Sequence, residues 1–147
     1  MGIMKRKTFI LLCLICAICG LVFSHIKNPK QRIIKMVNNN IDSYTSIANQ
    51  ILIEGIAPSN IHADGIKDIS SYNHLQVDFT CGYGGFASQS SYYGFYFSFD
   101  DVPRTFQGLD IPFEHYENGL RWSKIDGANW CYVEKISNYW YYLEMYF

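Results

Sequence analysis

The segment WCYVEKISNYWYYLEMYF, from Trp130 to Phe147, decides the fold because the register of its two strands determines which side chains share a face. A half-buried strand needs apolar side chains on one side only, yet aromatic residues here fall on both sides of the alternating pattern. A three-residue turn centred on Asn138 aligns Cys131 with Met145 and separates an apolar face from an amphipathic one, whereas a two-residue turn mixes them. The pattern therefore predicts a hairpin whose apolar face packs against a helix.

The second face of this hairpin combines aromatic rings, hydroxyl groups and two carboxylates. Tyrosine and tryptophan offer large, stiff contact areas with a polar tip and dominate binding hot spots. One hypothesis is that this face binds a partner; the other is that residues 99–112 fold over it as a second layer. The candidate binding residues are Trp130, Tyr132, Glu134, Trp140, Tyr142, Glu144 and Tyr146.

Further strands precede this hairpin. HLQVDFTC (residues 74–81) and SYYGFYFSF (91–99) alternate in twos, and GYGG (82–85) between them reads as a bulge or turn. In IPFEHYENGLRWSKI, Asn118-Gly119 suits a two-residue type I′ turn that pairs His115 with Trp122. The sequence predicts an antiparallel sheet of about five or six strands.

A helical period occupies the region before the strands. Apolar residues recur at steps of three and four from Ile33 to Leu52, which predicts one amphipathic helix of about seven turns from near Lys30 to Glu54. Its mixed apolar stripe favours packing on a sheet over a coiled coil. The expected class is α+β, with a cystatin-like arrangement of the sheet curled around the helix; a small barrel or sandwich with the helix outside is the alternative.

The first 26 residues have the pattern of a signal anchor or signal peptide. Lys5, Arg6 and Lys7 precede the uncharged run TFILLCLICAICGLVF. The expected organisation is this leader (1–26), the amphipathic helix (27–57) and a β domain packed on it (58–147). We expect a single-pass protein held in the cell membrane by its N-terminal helix, with its C-terminal domain outside, or a secreted one if the leader is cleaved near Ser24.

Composition excludes two classes of protein. About half of the 147 residues are hydrophobic and 17% are charged, so the chain has enough apolar surface to fold. A net charge of -1 supplies no field that would attract nucleic acid. Three of the five cysteines belong to the leader. The other two, Cys81 and Cys131, either form a disulfide in an exported domain or remain thiols in a shared core.

No motif for chemistry stands out. The chain has no phosphate-binding glycine loop, no G-x-S-x-G elbow and no H-E-x-x-H helix, so we expect no enzyme activity, no cofactor and no metal. The rival hypothesis is a glycan hydrolase that uses Glu134 and Glu144 as paired carboxylates amid aromatic rings.

Three stretches, YYGFYFSFDDVPRTFQG, DGANWCYVEKI and WYYLEMYF, resemble the C-terminal pattern of small membrane-anchored or exported proteins of Gram-positive bacteria. Those proteins have no assigned activity, so the resemblance implies a location and no catalytic residue. The expected function is an interaction module that binds an envelope protein or cell-wall glycan through its aromatic face. An inhibitor or immunity-type partner protein is a further alternative.

Overall fold

A computed structural model describes residues 29–86 and 89–147, and Arg32 to Phe147 form one unit. The predicted leader lies outside the described residues. The described part consists of two α-helices and seven β-strands, so the α+β class is confirmed with more strands than expected. The elements are α1 (Pro29–Asn39), α2 (Ile41–Leu52), β1 (Asp68–Tyr72), β2 (Gln76–Phe86), β3 (Gln89–Ser98), β4 (Glu114–Tyr116), β5 (Gly119–Ser123), β6 (Trp130–Ser137) and β7 (Trp140–Tyr146).

The seven strands form one antiparallel sheet in the order β1-β2-β3-β7-β6-β5-β4. Two meanders, β1 to β3 and β4 to β7, meet where β3 pairs with β7. The last strand of the chain is therefore the central strand of the sheet. A central strand that is covered on both faces carries apolar side chains on both, which explains the aromatic residues on either side of β7.

The sequence predicted a single helix, but the structure has two, because the helix is interrupted at Asn40. Asn40 has φ -131° and ψ 23°, outside the helical region, and its side-chain Nδ2 donates to the carbonyl oxygen of Met36 at 2.9 Å. Asparagine competes with the helix in this way because its short side chain reaches nearby backbone groups. The α2 helix resumes at Ile41, and no helix among the described residues is long and apolar enough to cross a bilayer.

The two helices cover one side of the sheet, which we call the helix face. Ile33, Val37, Tyr44, Ala48 and Ile51 are buried there, which confirms the predicted apolar stripe of the helical region. Their partners on the sheet are Val77, Phe79, Cys81, Phe95, Phe97, Tyr132, Trp140 and Tyr142. The helices thus pack on the side of the hairpin that holds Trp140 and Tyr142. The expectation that they cover the side of Cys131 and Val133 is wrong.

The other side of the sheet, the strap face, is partly covered by residues 99–112, which we call the strap. Tyr96, Cys131, Val133, Tyr141, Leu143 and Met145 are buried on this face. Phe106 of the strap packs against them. The strap thus forms a second layer over the sheet, as one of the two hypotheses predicted. It covers the face of Cys131 and Val133, however, and not the aromatic face that was expected. The sheet lies between helices and strap, with an apolar layer on each side.

Hydrogen bonds hold the first half of the strap against the sheet. Asp101 accepts hydrogen bonds from the Tyr139 N–H at 2.8 Å and the Tyr141 hydroxyl at 2.9 Å. The Arg104 N–H donates to the Tyr96 hydroxyl oxygen at 2.9 Å. The Arg104 guanidinium also binds Asp100 at 2.5 Å, and this bond lowers the pKa of the Asp100 carboxyl. These bonds fix the position of the strap relative to β3 and β7.

The register predicted for the final hairpin is confirmed. Cys131 lies opposite Met145, and Val133 lies opposite Leu143. The turn itself is tighter than predicted, because the pairing shifts between Lys135 and Ser137 and leaves a two-residue turn. A bulge of this kind inserts one extra residue without changing the pairing on its far side.

The register predicted for the β4–β5 hairpin is wrong, because the two-residue turn lies one residue earlier in the chain than predicted. Tyr116 pairs with Gly119 and His115 pairs with Leu120, so the turn residues are Glu117 and Asn118. Gly119 lies inside β5, where an added Cβ would collide with the carbonyl oxygen of Val133. The glycine is needed for the close approach of two backbones, not for the turn.

Two features of the first meander differ from the expectation. The β1 strand was not predicted, because its short polar sequence DISSY shows no apolar alternation. GYGG lies within β2 instead of ending it, after a register shift between Thr80 and Gly82. The predicted bulge or turn at GYGG is therefore wrong in position, because the irregularity lies at Cys81 and GYGG itself pairs regularly with β3. Gly94 lies opposite Thr80 on β3, and a side chain there would collide with the carbonyl oxygen of Phe79.

Candidate functional site

The seven predicted binding residues share one side of β6 and β7 but differ in burial. Tyr132, Trp140 and Tyr142 are buried in the apolar cluster of the helix face, so these side chains are not accessible to a partner in this structure. Trp130, Glu134, Glu144 and Tyr146 are half-buried. The helices cover the β2–β3–β7 part of the helix face, and only its margin towards β5 and β4 can serve as a contact surface.

At this margin four side chains from four strands form a row, which we call the Arg–aromatic row. The Arg121 guanidinium lies 4.9 Å from the ring centre of Tyr116 and 5.1 Å from that of Trp130. The Tyr146 ring lies nearly parallel to Trp130, at 9° and 6.1 Å between centres. Strand pairing brings these residues together, since β5 lies between β4 and β6.

Two members of the row were not among the predicted site residues. The alternating pattern already placed Tyr116 and Arg121 on one face of the β4–β5 hairpin. An arginine beside an aromatic ring can form a cation–π pair, so the sequence held a signal for these two residues. The missing information was that β5 pairs with β6, which puts Arg121 opposite Tyr132 and next to Trp130. Tyr116 is 42% exposed, so the row reaches solvent at the β4 edge.

The two carboxylates of the hydrolase hypothesis are diagonal neighbours on β6 and β7. Tyr132 lies opposite Glu144, and Glu134 lies opposite Tyr142. Each carboxylate accepts a hydrogen bond from a tyrosine on its own strand: Tyr132 donates to Glu134, and Tyr142 donates to Glu144 at 2.9 Å. Burial and the neighbouring Glu144 raise the pKa of Tyr142. These contacts orient both carboxylates along their strands, and the raised pKa keeps the Tyr142 hydroxyl protonated.

The two cysteines outside the leader do not pair in this structure. Cys81 is buried on the helix face and Cys131 on the strap face, and both are free thiols. Two strands lie between β2 and β6, which corresponds to about 14 Å at a spacing of about 4.8 Å. A disulfide needs Cα atoms within about 6.8 Å. Neither the predicted disulfide nor the shared core is found, because each thiol belongs to its own layer.

Burial raises the pKa of both thiols to about 12, which predicts that neither reacts in the native state. In a chain with Cys13, Cys16 and Cys19 replaced by serine, we expect no release of thiolate from the reagent DTNB at pH 8 before unfolding. In urea the same chain should release two equivalents, one for each of Cys81 and Cys131. Fast labelling of the folded chain, or no labelling in urea without reductant, would contradict the free-thiol assignment.

A buried carboxyl group lies where the strap crosses β2. Asp78 accepts a hydrogen bond from Gln76 Nε2 at 2.6 Å and from the Gln107 N–H at 3.4 Å. Gln76 Nε2 also donates to the carbonyl oxygen of Thr105 at 3.0 Å. Desolvation outweighs these bonds and raises the pKa of Asp78 to about 7. The network joins the strap to the sheet through one group that titrates near neutral pH.

Beyond this network the strap face is open and forms a pocket of about 640 Å³. Its walls come from the strap, from the first residue of β1 and from parts of β2, β3, β5, β6 and β7. The main apolar lining residues are Tyr92, Phe106, Ile111, Trp122, Met145 and Phe147. The volume is within the range of small-molecule sites, which are about 300–1,000 Å³ and mostly apolar. The sequence could not predict this pocket, because its walls come from seven separate segments.

Within the described residues, no three histidine, cysteine, aspartate or glutamate side chains cluster in a way that could hold a metal ion. No protein-family model, no curated protein and no solved structure matches this chain.

Proposed function

We propose that the chain is a membrane-anchored, extracytoplasmic interaction module without enzyme activity, which binds another envelope protein through the Arg–aromatic row. Residues 1–26 serve as the anchor, or as a leader cleaved near Ser24. The helices and the sheet form the rigid support, in a cystatin-like arrangement with the sheet curved around α1 and α2. The observation that carries the proposal is the row itself, with one arginine between two rings on an open sheet margin.

Residue type supports a protein partner. Tyrosine, tryptophan and arginine are the residues enriched at binding hot spots, and the row contains all three in contact with one another. Glu134 and Glu144 lie on the same side of the sheet, so the margin carries both signs of charge. Charges of both signs around aromatic anchors set the orientation of a protein partner.

Ring geometry makes cell-wall glycan the second candidate. A sugar ring stacks on an aromatic ring whose flat face is free. Arg121 lies over the face of Trp130, and Tyr146 lies parallel to it. A glycan that stacks on Trp130 would have to displace one of these neighbours, whereas a protein can contact the guanidinium and the ring edges as they stand.

The test is co-purification of the full-length chain from solubilised membranes, comparing wild type with Arg121→Ala and with Lys124→Ala. Lys124 is an exposed cation just after β5 and outside the row, so Lys124→Ala is the matched control. We expect one protein to be recovered in equimolar amount with wild type and the control. Arg121→Ala should reduce its recovery by about 30-fold, as for a hot spot of about 2 kcal/mol.

Equal recovery with both variants would exclude the row as the contact surface. Retention of the chain on purified cell-wall glycan, lost in Arg121→Ala, would favour the glycan candidate. The hydrolase alternative has a separate readout: glycan turnover that Glu144→Gln abolishes would replace the proposal. An inhibitor or immunity-type role would appear as loss of the partner's own activity in the complex.

A further inference from the structure

We propose that the pocket on the strap face is a binding site for an uncharged, largely apolar small molecule. This site lies on the opposite side of the sheet from Arg121, and Trp130 is the one residue that it shares with the Arg–aromatic row. Its walls combine rings with aliphatic side chains, including Phe106, Ile111 and Met145. Apolar walls of this kind with a few polar groups are the usual form of a small-molecule site.

The charges of the lining decide the class of ligand. Asp68 is the one acidic side chain that the described residues contribute to the lining, and it is exposed at the rim. The described residues place no lysine, arginine or histidine in the lining, so a carboxylate or phosphate would lose its hydration without gaining a cation. Thr80 and Ser90 supply hydroxyl groups that can bond one neutral polar group, whereas the Thr105 hydroxyl already donates within the strap. A neutral ligand with a single hydroxyl or carbonyl group fits this lining.

The wall formed by the strap is held in shape without a ligand. Gln107 has φ 65°, a conformation that a residue with a side chain adopts only when its surroundings impose it. Asp78 accepts the N–H of Gln107, and Gln76 binds the neighbouring carbonyl of Thr105. Phe106 lies between Thr105 and Gln107 in the chain, so these bonds fix its ring against that of Tyr92, with 6.2 Å between the ring centres. A pocket with a fixed wall binds a ligand at a lower entropic cost than one that must form first.

The pocket can be tested by photolabelling of the full-length chain in lipid nanodiscs. The probes are a long-chain alcohol with a diazirine group and the matched long-chain carboxylate, and mass spectrometry of peptides locates the adducts. We expect saturable labelling by the alcohol on peptides that contain Phe106, Ile111 or Met145. Labelling by the carboxylate at pH 8 should be about tenfold weaker or less.

Three variants separate pocket binding from general apolar contact. Ile111→Trp fills the pocket and should abolish labelling of these peptides, whereas Ile125→Trp should not, because Ile125 is 97% exposed and outside the lining. Leu109 is 56% exposed at the rim, so Leu109→Lys leaves the core intact and should raise labelling by the carboxylate about tenfold. The last variant tests the charge argument even if the Ile111→Trp variant is unstable.

Several results would overturn the inference. Labelling that does not saturate, that appears only on peptides from residues 8–26, or that is equal for alcohol and carboxylate would exclude a selective pocket. Equal labelling of the Ile111→Trp and Ile125→Trp variants would do the same. None of these outcomes involves Arg121, so failure of the pocket leaves the proposed partner surface unaffected.

Discussion

Replacing Trp140 with alanine is expected to destabilise the fold by about 3–5 kcal/mol, the usual range for deleting a large buried ring. Trp140 is 2% exposed and lies between the helices and the centre of the sheet. Its ring centre is 5.2 Å from Phe97, 5.8 Å from Phe95 and 6.2 Å from Tyr44. Small domains are stable by about 5–15 kcal/mol, so this single change removes a large share of the stability.

Urea unfolding, followed by far-ultraviolet circular dichroism, measures the effect. The matched control is Tyr139→Ala, one residue earlier, where the ring is 46% exposed and should cost less than about 1 kcal/mol. Equal effects of the two variants would show that Trp140 is not in the core. Loss of partner binding in Trp140→Ala would report unfolding, so the binding tests use Arg121 instead.

The second large effect is a dependence of stability on pH that comes from Asp78. Its pKa is about 7 in the folded chain and about 3.9 in an unfolded one. The folded state therefore holds the proton more tightly, and this stabilising contribution is complete below pH 4. It is lost as the pH rises from 4 through 7, by about 4 kcal/mol in total. The two titratable groups that interact with Asp78, Tyr96 and Cys131, both stay neutral over this range.

Asp78→Asn tests this assignment, because asparagine has the shape of the protonated acid and does not ionise. We expect the free energy of unfolding of wild type to fall between pH 4 and 8, and that of the variant to stay nearly level. The two chains should be similar at pH 4, with the variant more stable at pH 8. Parallel profiles would mean that Asp78 is ionised in the folded state throughout.

A carboxyl in a different setting gives the opposite slope and serves as an internal control. The Arg104 guanidinium lowers the pKa of Asp100, so the stability of this pair is lost as the pH falls below about 4. Asp100→Asn should change how the free energy of unfolding depends on pH below about 4. It should leave the dependence between pH 4 and 8 unchanged. The two aspartates act in separate pH windows because one is desolvated beneath the strap and the other is paired with a cation.

The interiors of the helices and of the longer strands were predictable from the sequence, whereas the junctions and the short strand β1 were not. The apolar stripe from Ile33 to Ile51 has a helical period, and the buried residues of α1 and α2 follow it. The break at Asn40 escapes a periodicity argument, because it depends on a side chain that bonds to Met36. Gly119 shows the same limit, since a glycine needed for close approach to Val133 looks in sequence like a turn residue.

The candidate site was predictable only in part, for a related reason. Alternation correctly placed Trp130 and Glu134 on the same face, and it separated them from Cys131. It could not say that Tyr132 and Trp140 would be buried while Trp130 stayed half-exposed, because that depends on how far the helices reach across the sheet. The pocket and the Asp78 network have no local signal, since the contact between Asp78 and Gln107 spans 29 residues.

By itself the sequence determined the α+β class, the helical stripe, the pairing within the final hairpin and the division of its side chains between two faces. These features depend on neighbours close along the chain, and backbone geometry with a period of 3.6 or 2 dictates them. Only the tertiary structure decided that β7 is the central strand, that the helices lie over Trp140 and the strap over Cys131, and that Arg121 reaches Trp130. Both faces of β7 are apolar enough to be buried, so local pattern could not choose between them; long-range packing of the helices and the strap made that choice.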